Sequence, residues 1–461
     1  MEALMIGVSG MRGTIGGTLT PPVVSRMASA FAAWLAQTQQ PANRSHFRIV
    51  FGRDSRPSGS WVRDAAASAL VASGAELIDL DIVTTPGVAM MVKHLGADAG
   101  MIATASHNPI EWNGLKFLTR DAVAPPPADA ARIRELYDAG ATAYARVEKL
   151  VPPKRNAETH ALHLKRVMTY VDMLGISSNR FKVVLDSVNG AGCLVTATLL
   201  NKLGCQLVHL NSAPNGQFPH EPEPTEKNLQ SLAIEVRHQK AHVGFAQDPD
   251  ADRLAVIDEQ GTYIGEEYSL ALAAKLVLGK RPGVAVANLS TSRMLDDLAA
   301  ASGGESRVIR TPVGEANVID AMLKHNAVIG GEGNGGVIDP RIVPGRDSLV
   351  GIAYVLQLMA DSGKPLSKIV EEIPRYEIVK TKFPCKREDA VRAVEVLKRE
   401  FANEKVDTQD GIRIDWPDAW VHARPSNTEP IMRIIAEAPD RSSAEMYVER
   451  VRKVVDRELD Q

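Results

Sequence analysis

The sequence predicts a multidomain α/β protein that closes in an α+β domain, and three observations carry that prediction. A chain of 461 residues holds three or four domains at roughly 100–200 residues each. Through most of its length, short apolar runs of strand length alternate with helix-length segments, the pattern of βαβ units. Beyond residue 370 the texture changes to a strand, a helix, a long polar–apolar alternation and a final helix.

In chain order, the opening Gly7-Val8-Ser9-Gly10-Met11-Arg12-Gly13 reads as a loop. Its glycines would let backbone amides approach an anion and Arg12 could clamp it, although the Lys-Ser/Thr ending of a P-loop is missing. A helix over 22–36 and a strand over 48–52 follow. Ser58 reads as the N-cap of a helix reaching about Ser73, and a strand over 76–81 comes next. Gly100–Ala103 is a short apolar strand that ends in Thr104-Ala105-Ser106-His107-Asn108-Pro109, where Pro109 forbids continuation. A serine at such a strand tip is exposed and rigidly aimed, and His107 and Asn108 can donate to an anion on its oxygen. A strand over 115–118 completes the first unit, and Val151-Pro152-Pro153-Lys154 marks its end.

The second unit runs through strands at 181–186, 205–211 and 242–246 to Gln247-Asp248-Pro249-Asp250-Ala251-Asp252-Arg253. Three carboxylates at alternating positions after a strand can converge on one cation, and oxygen-only ligation favours Mg²⁺ over Zn²⁺. An EF-hand is disfavoured, because Arg253 stands where the turn glycine belongs and a strand rather than a helix follows. An aspartyl-phosphate nucleophile and a solvated acidic turn are the competing readings. Arg253 could hold a phosphate beside the ion.

The third unit opens at a strand over 254–258 and reaches Gly330-Gly331-Glu332-Gly333-Asn334-Gly335-Gly336, a loop whose backbone can lie against a ligand. Glu332 and Asn334 suit sugar hydroxyls. In the tail, Arg424-Pro425-Ser426-Asn427-Thr428-Glu429-Pro430, with Arg433 behind it, makes a phosphate cradle or an ordinary polar turn. The resulting domain limits are 1–153, 154–253, 254–369 and 370–461.

Composition narrows the function. Fifty-three basic against 56 acidic residues leave a net charge of −3, which points away from nucleic acid and membrane surfaces. Three cysteines without metal-ligand spacing, no signal sequence and no apolar run near ~20 residues point to a cytoplasmic protein. The four chemical loops propose a serine nucleophile, a divalent cation, a sugar contact and a phosphate grip. Together they fit a phosphorylated sugar held between domains.

These four motifs, TASHNP at 104–109, DPDADR at 248–253, GEGNGG at 331–336 and RPSNTEP at 424–430, resemble in order and spacing those of the α-D-phosphohexomutase superfamily. The resemblance covers essentially the whole chain. It implies a four-domain, heart-shaped architecture with three similar mixed-sheet α/β domains and a smaller C-terminal α+β domain. Ser106 would be the phosphoserine and, with Asp248, Asp250 and Asp252, would bind one Mg²⁺ per chain. Arg12, His107 and Lys116 would assist catalysis, while Arg253, Glu332, Asn334, Arg424, Ser426, Asn427, Thr428 and Arg433 would bind substrate.

The reaction so implied interconverts sugar 1- and 6-phosphates through a bound 1,6-bisphosphate, in a monomer or homodimer whose partners are phosphosugars. Pro249 replaces a glycine common in the metal loop. Asn334 and Gly336 replace the serine and terminal histidine of the hexose and mannose mutases, which turns the expected sugar towards glucosamine phosphate. A phosphomannomutase/phosphoglucomutase is the alternative, and a sugar-phosphate phosphatase the alternative of another class.

Overall fold

The computed structural model describes residues 4–41, 44–426 and 430–459. The chain divides into two compact units, residues 1–276 with 334–370 and residues 277–333 with 371–461.

The first unit contains two sheets. One has seven strands in the order Met5–Gly7, Gly10–Thr14, Trp112–Thr119, Ala99–Ala103, Arg48–Arg53, Glu76–Ile82, Lys154–Arg155. Its centre is parallel and its Trp112–Thr119 flank antiparallel. Helices Pro21–Thr38, Gly59–Ala72 and Pro127–Asp138 contribute to one buried cluster with these strands, in which Phe31 stacks on Phe117 at 4.6 Å between ring centroids. Burying each such ring contributes about 1.5–3 kcal/mol. The other sheet runs Leu254–Asp258, Val243–Gln247, Lys182–Asp186, Gln206–Leu210, parallel except at its first strand.

In the second unit, Val284–Asn288 lies between Arg307–Thr311 and Ile329–Glu332, all parallel. The C-terminal sheet is wholly antiparallel, in the order Glu377–Pro384, Ile431–Ala438, Trp420–Pro425, Ile412–Asp415, Lys405–Asp407. Helices Arg387–Glu400 and Arg441–Leu459 pack on it. The α/β and α+β classes read from the sequence are therefore those observed.

Four local readings change. Gly10–Thr14 is a strand rather than a loop, paired antiparallel with Trp112–Thr119. The strands approach so closely that a Cβ at Gly10 would overlap the carbonyl oxygen of Leu115, and one at Gly114 that of Met11. Gly10, one of the glycines that suggested a loop, is there for that approach. Ser58 does precede its helix, but its side chain makes no cap; its hydroxyl accepts from Asn113 Nδ2 at 2.9 Å. The limits expected after 153 and 253 each cut off a strand of the preceding sheet. Lys154–Arg155 joins the edge strand Glu76–Ile82, and Leu254–Asp258 folds back on Val243–Gln247.

Among the described residues no helix is long and apolar enough to cross a membrane. Cys193, Cys205 and Cys385 are all free.

Candidate active site

Strand ends build the chemical centre of the first unit. Ser106 follows the carboxyl end of Ala99–Ala103 and Asp248 that of Val243–Gln247, the ends at which α/β sheets present ligands. Ser106 is buried rather than exposed as its strand-tip position suggests, because the turn is packed under the acidic loop, and it has a left-handed φ of +51°, a conformation sparse for L-residues and typical of functional turns. Its hydroxyl donates to Asp248 Oδ2 at 2.9 Å.

The acidic loop curls over its own first carboxylate. Asp248 Oδ1 accepts from the amides of Asp252 at 3.1 Å and Arg253 at 3.0 Å, and Ala251, just before them, has φ +54°. The curl brings a carboxylate oxygen from each of Asp248, Asp250 and Asp252 within 4.8 Å of the others. All three are fully buried.

Cations and hydroxyls hold this cluster. Lys116 Nζ reaches Asp250 Oδ2 at 2.6 Å and Asp252 Oδ2 at 3.2 Å, Thr85 Oγ1 donates to Asp250 Oδ2 at 2.6 Å, and Arg346 Nη2 donates to Asp252 Oδ2 at 2.7 Å. Burial, reinforced by Asp252 and Asp250, holds the Asp248 carboxyl well above the ordinary range. Burial also pushes Asp250 and Asp252 upward, but Lys116 at the first, and Arg346 and Lys116 at the second, outweigh it and leave both below the ordinary range.

Two oxygens of the cluster, Asp250 Oδ1 and Asp252 Oδ1, are buried and receive no hydrogen bond from any described residue. A buried acceptor left so needs a partner. Oxygen-only donors at this spacing fit a hard divalent cation.

The neighbouring candidates gather here as well. Arg12 Nη1 donates to Asn108 Oδ1 at 3.0 Å. The register Gly10↔Lys116 and Arg12↔Gly114 places Arg12 and Lys116 on one face of the sheet. His107 Nδ1 lies 3.5 Å from Ser106 Oγ. Burial, with Arg253 and Arg12 beside it, pushes His107 down to about 2, so the ring is neutral at physiological pH. Arg253 Nη1 and His107 Nε2 both face Glu223, at 3.7 and 3.9 Å.

The sugar-loop residues fall in different units. Glu332, in the second, is buried and accepts from Asn288 Nδ2 at 2.9 Å, while Thr291 Oγ1 accepts from the Gly333 amide at 3.1 Å. Asn334 belongs to the first, where its Oδ1 accepts from the Gly336 amide at 3.2 Å. A Cβ at Gly336 would overlap Arg346 Cδ, so the side chain on its way to Asp252 fills the space that a residue larger than glycine would need.

In the C-terminal sheet, Arg424 and Arg433 stand directly opposite on adjacent strands, and Lys382 stands opposite Arg433 on its other side. Opposed like charges destabilise a sheet unless an anion offsets them. Arg424 is buried and forms an ion pair through Nε with Asp410 Oδ2 at 2.9 Å. The Ser426 amide donates to the Ile431 carbonyl at 2.9 Å. Asn427 and Thr428 lie outside the described residues.

Thr85, Arg346, Asn288 and Lys382 escape sequence reading. Each is an ordinary residue type in an ordinary element, placed by tertiary pairing, and Lys382 becomes legible only through strand register.

Comparisons with known proteins agree with this arrangement. Family models for the phosphoglucomutase/phosphomannomutase family match as alpha/beta/alpha domain I at residues 3–143, domain II at 161–261, domain III at 265–376 and the C-terminal domain at 381–454. A phosphoglucomutase/phosphomannomutase of Thermococcus kodakarensis is 36% identical over 99% of both chains. A probable phosphoglucosamine mutase of Methanopyrus kandleri is 34% identical over 98% of both. The crystal structure of a phosphoglucomutase/phosphomannomutase family protein from Burkholderia thailandensis superposes with a TM-score of 0.85 at 25% identity, covering 98% of this chain and 97% of that one. With the fold, the serine–aspartate centre and all four domain matches in agreement, the chain belongs to the phosphoglucomutase/phosphomannomutase family of the α-D-phosphohexomutase superfamily.

Proposed function

We propose that this isomerase interconverts the 1- and 6-phosphates of a hexose through phosphorylated Ser106 and an enzyme-bound 1,6-bisphosphate, with glucosamine phosphate as its preferred sugar. The observation that carries the reading is the Ser106 hydroxyl, 2.9 Å from Asp248 Oδ2, beside two buried carboxylate oxygens that no described donor reaches.

Asp248, Asp250 and Asp252 would hold Mg²⁺, which when bound neutralises charge on the transferring phosphoryl group. In the first half-reaction the P–Oγ bond of phospho-Ser106 breaks as a bond forms from phosphorus to the free sugar oxygen. The sugar hydroxyl gives up its proton and Ser106 Oγ recovers one. The bisphosphate then turns end for end, and the second transfer reverses these steps at the other sugar position.

Because phosphoryl transfer depends on positioning and charge rather than covalent assistance, the surrounding cations do most of the work. Lys116 and Arg253 offset charge, and Arg12 supports the turn through Asn108. Neutral His107 can donate a hydrogen bond to an anion on Ser106 Oγ. Glu332 and Asn334 would meet sugar hydroxyls, and Arg424, Ser426, Asn427, Thr428 and Arg433 would hold the phosphate that is not reacting.

For the sugar, the support is a loop that has Asn334 and Gly336 where hexose and mannose mutases have serine and histidine, with Arg346 filling the space at 336. The Methanopyrus relative's name agrees. Three free cysteines suit a reducing cytoplasm.

A coupled assay with phosphorylated enzyme and Mg²⁺ tests this, comparing glucosamine, glucose and mannose phosphates while following free phosphate. The expected result is isomerisation with preference for glucosamine phosphate. A preference for glucose or mannose phosphate would reject the sugar assignment, and phosphate release without isomerisation would reject the mutase.

A further inference from the structure

A guanidinium buried away from water must find acceptors for five N–H groups. Arg56 is fully buried and finds all five. Nη2 donates to the carbonyls of Ser106 and Asn108, each at 2.6 Å, and Nη1 to those of Pro109 at 2.6 Å and Trp112 at 3.1 Å. Nε donates to Asp54 Oδ2 at 3.1 Å. Four of the five bonds therefore end on the backbone of one short turn, and one of them on Ser106 itself.

The other side of Ser106 returns to the same ion pair. Its amide donates to Thr104 Oγ1 at 2.9 Å, and Thr104 Oγ1 donates to Asp54 Oδ2 at 2.6 Å. Asp54 is fully buried and also accepts from the Arg56 amide at 2.9 Å. Phe218 covers the guanidinium, with Arg56 Cζ 4.9 Å from its ring centroid. The two peptide groups flanking the left-handed serine are thus both tied to Asp54–Arg56.

A buried ion pair alone is weak evidence of a stabilising role. Here its bonds are concentrated on one strained turn, which is the arrangement expected of a support for that turn rather than of general packing. We propose that Arg56 is a positioning residue, holding Ser106 in its left-handed conformation and aimed at Asp248 so that phosphoryl transfer starts from a fixed oxygen. Lysine keeps the charge but offers three donors from one point and cannot span four carbonyls. What the turn does rests on the mutase reading; how it is held rests on the geometry.

The test compares wild type, Arg56→Lys and Arg56→Ala. Phosphorylation of Ser106 by glucose 1,6-bisphosphate is followed by intact mass, alongside kcat, KM and hydrogen exchange. Arg56→Lys is expected to transfer about 100-fold more slowly, as misplacing a reacting group does. Its KM should stay within about 3-fold, and its thermal shift with Mg²⁺ should persist. Exchange should rise over 104–112 while 248–253 stays protected. Guanidinium, but not methylammonium, should restore part of the rate of Arg56→Ala.

Wild-type transfer by Arg56→Lys with unchanged exchange over 104–112 would overturn the proposal. So would exchange that rises equally over both loops, or equal rescue by both cations. If wild-type Ser106 accepts no phosphoryl group, the mutase reading falls, and exchange over 104–112 still decides whether Arg56 holds the turn.

Discussion

The serine–aspartate centre and the C-terminal sheet handle charge in opposite ways. In the first, Lys116 and Arg346 sit within hydrogen-bonding distance of buried carboxylates, so most of the charge is matched inside the protein. In the second, Lys382, Arg433 and Arg424 stand abreast on neighbouring strands, and Asp410 pairs with Arg424. Carboxylates held this closely fix geometry, which phosphoryl transfer needs; three cations abreast on a sheet suit an anionic ligand. The contrast separates residues whose loss should lower kcat from those whose loss should raise KM.

The largest effect should come from the first region. Ser106→Ala is expected to lower kcat by roughly 10⁴-fold or more while sugar-phosphate binding, read by calorimetry, persists. Turnover near the wild-type rate in that variant would break the comparison at its root. Next, Asp250→Asn should lower activity by about 10³-fold, the several kcal/mol expected of a lost metal ion. It should also abolish the stabilisation by Mg²⁺, which for wild type amounts to about 2.7 kcal/mol at a hundredfold excess over Kd. An undiminished thermal shift in Asp250→Asn would take Asp250 out of the metal site.

The second region should respond through KM. Arg424→Ala is expected to raise KM for sugar phosphate about 100-fold, the scale of a charge-assisted hydrogen bond. Exposed Lys382→Ala should raise it about 3-fold, the scale of a solvated ion pair. Equal effects on kcat would erase the distinction between the regions.

Smallest in activity, but measurable in stability, is a pH effect from the same unit. His422 is fully buried, its Nε2–H donating to the Asp410 carbonyl at 2.7 Å and its Nδ1 accepting from Ser290 Oγ at 2.8 Å. Burial pushes it from 6.5 down to about 4. Between those values the unfolded chain binds the proton and the folded one does not. Its contribution is whole above pH 6.5 and is lost as pH falls toward 4, by about 3 kcal/mol at most. Thermal unfolding of His422→Gln should therefore depend less steeply on pH in that window than wild type.

The chemical loops were legible because their chemistry is local: alternating aspartates after a strand, a serine at a strand tip and arginines around hydroxyls are visible in a few consecutive residues. What the sequence hides depends on neighbours far along the chain. Gly10–Thr14 has too many glycines for a strand pattern, and only the approach to Trp112–Thr119 makes glycine the right choice at Gly10. Leu254–Asp258 looked like a new beginning because the acidic loop before it carries no hairpin signal. Arg56 lies just past the strand expected over 48–52, and its hold on a turn some 50 residues away has no local trace.

The short strand Lys154–Arg155 has a practical consequence. It pairs with Ile78 and Asp79, and the Asn156 amide donates to the Asp79 carbonyl at 2.9 Å. A fragment truncated at the apparent linker, at 153, would leave Glu76–Ile82 with an open row of N–H and C=O groups, a template on which a second copy can add a strand and aggregate. Extending the fragment past 156 supplies the missing partner. Three residues far from the chemical loops thus set the shortest fragment that keeps this sheet edge covered.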